Sequence, residues 1–135
     1  MMSYSHGNAH LAYRSASNHG QMASASPHGL IAMLMDGALE RIARARGCIQ
    51  NKDFANKALL LHRAVAIIDE LQAALDLKKG GEFAGNLSEL YSYMCRQLLR
   101  ATVENSIELL DEVMRLMQQI RDAWKQMPQD AKSGR

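Results

Sequence analysis

The chain has 135 residues, enough for one domain with a real core and no need of a disulfide or metal staple. Apolar residues make up 47% and aromatics only 5%, with Ala, Leu, Met, Glu, Lys, Arg and Gln dominant, so the vocabulary is that of helices. A net charge of +2 is too small to argue for nucleic acid, no apolar run is long enough to insert in a membrane, and the opening MMSYSHGNAH lacks the apolar stretch of a secretory signal. Cys48 and Cys95 lie inside apolar helical patterns without metal spacing. They are expected to be small core residues in a reducing, cytoplasmic compartment.

Residues 1–25 are small and polar and show no periodicity, which predicts a mobile N-terminal arm with Leu11 and Tyr13 among its few anchors. Ser26 suits an N-cap and Pro27 the first helical position, where a missing N–H costs nothing. Leu30, Ile31, Leu34, Ala38, Leu39, Ile42 and Ile49 then follow at helical steps. A second helix is expected over 53–77, closed by Lys78, Lys79, Gly80 and Gly81, since cations and glycine suit a helix C-terminus. A third over 84–104 carries Leu87, Leu90, Tyr91, Met94 and Leu98. A fourth over 106–126 begins near Asn105, with Glu108 as a variant capping box, and ends before Pro128. The last residues, 128–135, read as a disordered tail. With no strand signal and short connections, the pattern predicts an all-α, antiparallel up-down four-helix bundle over 26–127.

The second helix is apolar on too many sides. Leu61, Val65, Ile68 and Leu75 form one stripe; Leu71 adjoins it, and Leu60, Ile67 and Ala74 continue the arc in steps of seven. The arc spans about half the circumference, more than the ~100° a bundle helix needs. Either this helix is central and packed on several sides, or Leu60, Ile67 and Ala74 line an exposed groove for a partner helix. On the groove reading they are more exposed than Leu61, Val65 and Ile68. Leu109 and Leu116 flank the main stripe of the fourth helix in the same way.

Catalytic chemistry does not appear. There is no phosphate loop, no dinucleotide fingerprint, no Glu-x-x-His and no haem motif, so no enzyme activity, cofactor or metal is expected. His6, His10, His19 and His28 are scattered in or near the arm. His62 lies mid-helix, as in a histidine phosphotransfer domain, but Val65 and Ala66 stand where such a domain has Lys and Gly.

Three stretches, SASPHGLIAMLMDGALERIARA, IIDELQAALDLKKGGEFAGNLSELYSYM and DEVMRLMQQIRDAW, together resemble the flagellin export chaperone family, FliS, over about residues 13–127. The motif positions are Ser26, Pro27, Leu34, Asp36, Gly37, Gly80, Gly81, Asn86, Leu87, Leu90 and Tyr91. The resemblance implies a non-enzymatic cytosolic chaperone. It would bind the disordered C-terminal segment of flagellin, prevent premature polymerisation and aid delivery to the flagellar export gate. It also implies that the N-terminal segment covers part of the binding surface, with Tyr13 at the place of a family tyrosine. Met35 stands where the family usually has an aromatic, and Thr102 where it often has Asn. Competing readings are a phosphotransfer-like signalling bundle and a bundle that only oligomerises. A bare groove also leaves self-association open.

Overall fold

The computed structural model describes residues 26–127. Leu11, Tyr13 and the rest of the expected arm lie outside the described residues, as does the expected tail. Four helices follow one another: α1 (Pro27–Gln50), α2 (Phe54–Ala73), α3 (Leu77–Glu104) and α4 (Ile107–Gln126), with no strand among the described residues.

Local chemistry explains most of the boundaries. The Ser26 hydroxyl accepts from the Gly29 amide at 3.1 Å and Pro27 follows at the first helical position, as the sequence predicts. Asp53 caps α2 by accepting from the Asn56 amide. The α3–α4 corner differs slightly from expectation. Asn105 is not the cap of α4 but the left-handed end of α3, at φ 52°, and Ser106 caps α4 by accepting from the Leu109 amide at 3.2 Å.

The α2–α3 corner requires a larger correction. α2 ends at Ala73, four residues short of the expected 77, and α3 starts at Leu77 rather than 84. The Asp76 carboxylate accepts from the amides of Lys78 and Lys79 at 3.1 and 3.0 Å, so a new turn begins there. Lys78–Gly81 therefore opens α3 instead of closing α2. Gly81 breaks that helix with φ 56°, ψ −135°, a conformation that only glycine adopts readily.

Consecutive helices pack on one another, and α4 closes the ring on α1. The polar ties show the antiparallel order. At one end, the Trp124 indole donates to the His28 carbonyl at 2.9 Å; at the other, Arg46 grips Asp111 through two bonds of 2.8 and 3.3 Å. Between α2 and α3, the Gln72 amide donates to the Ser88 carbonyl and to the hydroxyls of Ser88 and Ser92. Buried Lys57 donates to the Thr102 carbonyl at 2.7 Å, setting a cation at the negative end of α3 beside the Phe54 ring. Thr102 thus makes its helix-end contact through its backbone, while its hydroxyl turns back to Leu98.

The core runs the length of the ring: Met35, Ile42, Leu61, Ile68, Leu71, Tyr91, Met94, Leu98, Leu110, Val113 and Met117 are all fully enclosed. Cys48 and Cys95 are half-buried against it rather than inside it. Burial first, then Asp69, pushes the Cys95 thiol up to about 12, which keeps it protonated and unreactive.

Candidate functional site

The wide apolar arc of α2 is largely core. Leu60 is 5% and Ile67 6% exposed, and Leu71 is fully enclosed. Leu60 and Ile67 are thus only marginally more open than Leu61 (1%) and Ile68 (0%), and the expectation that they also exceed Val65 is corrected, since Val65 is half-buried; neither residue lines an exposed groove. The reason is that α2 has two partners. Ile67 lies on the α1 side, its Cδ1 3.6 Å from where a Cβ on Gly37 would sit. Lys57 and Gln72 lie on the α3 side. Two flanks need a broad apolar arc. Only Ala74, at the C-cap of α2, is exposed as expected. Leu109 and Leu116 are half-buried on α4 against the core. His62 is exposed on the outer face of α2.

An open apolar cleft does exist, between α3 and α4. It holds about 310 Å³. Phe83, Asn86, Leu87 and Leu90 on α3 form one wall, at the i, i+3, i+4 and i+7 steps of a single helix face. Gln119, Ile120, Ala123, Trp124 and Met127 form the α4 side, and Met35 of α1 contributes to the floor. Met35 and Trp124 are buried, Leu87, Leu90 and Ile120 half-buried, and Phe83 is 66% exposed at the mouth. Polar groups on the walls are confined to the exposed amides of Asn86 and Gln119. Such a surface can hold apolar side chains; it offers no general base, nucleophile or metal ligand. Among the described residues no group of His, Cys, Asp or Glu is placed to hold a metal ion.

The rest of the bundle keeps this cleft in shape. Behind it, the His28 ring stacks on Trp124 with centroids 5.3 Å apart. Beside it, Asp36 pairs with Arg121 at 2.9 Å and Lys125 at 3.6 Å, tying α1 to α4. At the far half of the α3–α4 seam, Glu112 accepts from the Tyr93 hydroxyl at 2.6 Å and from the Gln97 amide. That first bond holds the Glu112 carboxyl below its ordinary range, against burial, and raises the Tyr93 phenol. The Arg46 hydrogen bond lowers Asp111 in the same way. The seam is clasped at one end and open at the other.

The motif residues have distinct places. Ser26 and Pro27 start α1, Leu34 and Tyr91 are core, Asp36 makes the α1–α4 pair, and Gly37 faces Ile67 of α2. Asn86, Leu87 and Leu90 line the cleft and Gly81 breaks the helix just before it. Phe83, Gln119 and Ala123 escaped the sequence reading. Their only signal is that 83 and 87, and 119 and 123, continue the helical steps of the cleft walls.

The family model for flagellar protein FliS matches residues 8–131. The chain belongs to the FliS family. It is 47% identical to the flagellar secretion chaperone FliS of Salmonella typhimurium, over 86% of this chain and 87% of that one. It is 43% identical to the flagellar secretion chaperone FliSB of Pseudomonas aeruginosa (83% and 89%), and 35% identical to FliS of Bacillus subtilis (83% of each). FliS proteins are chaperones, not enzymes. No described helix of this FliS-family chain is long and apolar enough to cross a membrane.

Proposed function

We propose that this chain is a cytosolic export chaperone that holds the disordered C-terminal segment of flagellin. Bound there, flagellin is kept from polymerising early and is presented to the flagellar export gate. The observation that carries this reading is the apolar α3–α4 cleft, because Asn86, Leu87 and Leu90 both line it and belong to the family motif. A disordered segment that folds into an amphipathic helix offers apolar side chains at i, i+3 and i+4, and the cleft walls present the same steps. Leu116 lies one turn before Ile120 and Leu109 two turns further back, so both extend the α4 wall. Ala74 is the one α2 candidate on the surface. Leu60, Ile67 and Leu71 support the bundle from beneath.

The test is calorimetric titration of the full chain with a purified peptide of the flagellin C-terminal segment. A saturable one-to-one complex with helix gained by circular dichroism supports the reading. No heat and no helix gain at peptide concentrations of about 100 μM, a Kd limit equivalent to ~5.5 kcal/mol, rejects it.

A further inference from the structure

We propose that Phe83 is the specificity-determining residue of the cleft, and that the Gly80–Gly81 break in α3 is what frees it for that role; the proposal rests on the flagellin reading above. Helical side chains lean toward the N-terminus and cover the turn before their own Cα. In an unbroken helix the Phe83 ring would lie over the turn that holds Lys79 and Gly80. At Gly81 the chain leaves helical geometry, φ 56° and ψ −135°, and that turn is carried away. The ring is left overhanging the mouth of the cleft, 66% exposed, on the same wall as Leu87 and Leu90. Other apolar side chains are exposed, Val103 among them, but Phe83 is the one on the rim of the cleft.

Both glycines are needed for the break. A side chain at Gly81 would be strained by the positive φ. A Cβ at Gly80 would collide with the Cβ of Ala84. The turn before them has its own support, since Asp76 accepts from Lys78 and Lys79 and its carbonyl accepts from the Gly80 amide at 2.8 Å. The Lys-Lys-Gly-Gly stretch is thus a shaped corner, and its product is an uncovered aromatic ring beside an apolar cavity.

The size of the cavity says what the ring selects. About 310 Å³ is far too little for a helix roughly 10 Å across, and suits one or two apolar side chains. The client class is therefore an amphipathic helix with two apolar side chains one turn apart, one entering the cleft and the other packing against the Phe83 ring. A client with only the first anchor leaves the ring in water and loses the larger apolar contact.

The experiment titrates the flagellin C-terminal peptide into the full chain and its Phe83→Ala, Phe83→Leu, Gly81→Ala and Gly81→Ala/Phe83→Ala variants, with thermal melts of each. We expect Phe83→Ala to weaken binding about tenfold with an unchanged melting point, and Phe83→Leu to recover most of the loss. Gly81→Ala weakens binding when Phe83 is present and adds nothing once it is gone, the signature of a residue acting through another. Unchanged affinity in Phe83→Ala, or an equal loss from Gly81→Ala in both backgrounds, overturns the proposal. If the parent chain does not bind the peptide, the flagellin reading fails by itself. Phe83 is then judged by the fluorescence of anilinonaphthalene sulfonate: reduced enhancement in Phe83→Ala supports its place at the cleft, and equal enhancement overturns it.

Discussion

The α2 flank and the α3–α4 seam carry similar apolar residues and end up in opposite states. On α2, Leu60, Ile67 and Leu71 are covered by α1 and α3. On α3 and α4, Leu87, Leu90 and Ile120 face a cleft that reaches solvent. The width of an apolar arc therefore does not distinguish a groove from a doubly packed helix. What distinguishes them is whether the neighbouring backbones approach. Ile67 closes against α1, its Cδ1 3.6 Å from where a Cβ on Gly37 would sit. Between α3 and α4, Trp124 and Met127 on one side and the overhanging Phe83 on the other line walls that stay open at one end.

The sharpest way to break this comparison is to put a charge on each surface. Ile67→Asp buries an unpaired carboxylate and should cost about 3–5 kcal/mol, a large share of the roughly 5–15 kcal/mol that holds a domain folded. Ala123→Glu sits on an exposed helical position and should leave stability within about 0.5 kcal/mol, yet it sets a charge in the cleft and should abolish peptide binding. Urea melts and the calorimetric titration read the two. A folded Ile67→Asp variant that fails to bind would restore α2 as the groove.

How far the sequence alone reached follows the same division between local and non-local causes. Ser26 and Pro27 act through bonds within one turn, so the start of α1 was legible to the residue. The α2–α3 corner was not, because Lys-Lys-Gly-Gly satisfies the chemistry of a helix end and Asp76 satisfies that of a helix start. Only the packed chain decides between them. The bundle, too, was legible from periodicity. The cleft was not, since it needs three helices and the relative sizes of Met35, Phe83 and Trp124. Asn86, Leu87 and Leu90 were picked out by resemblance rather than by any physical signal of a cavity.

A smaller effect sharpens the packed side. Gln72→Ala removes the donor that serves Ser88 and Ser92, both half-buried and able to turn to water. The expected cost is about 1 kcal/mol, or a melting point lower by about 4–8 °C, with peptide affinity unchanged. A loss of affinity as large as that of Ala123→Glu would mean that the α2–α3 seam contributes to the site.

The smallest effect concerns acid. Asp111 and Glu112, which clasp α4 to α1 and α3, both titrate below their ordinary ranges in the folded chain, held there by Arg46 and by Tyr93. A depressed folded pKa gives stability that is present above the unfolded value, about 4, and lost as the pH falls through the folded one. The melting point should be flat from neutral pH to about 5 and should decline below about 4. Asp111→Asn should lower stability at neutral pH and make that decline shallower. A decline of unchanged steepness in Asp111→Asn would remove the Arg46 pair as its cause.

The central claim is that the open end of the α3–α4 seam, not the α2 flank, receives the client. Hydrogen–deuterium exchange of the full chain, with and without saturating flagellin C-terminal peptide, tests it most directly. New protection is predicted at 83–90 and 119–127, with α2 from 54 to 73 unchanged. Protection confined to α2, with 83–90 and 119–127 exchanging as in the free chain, would contradict it.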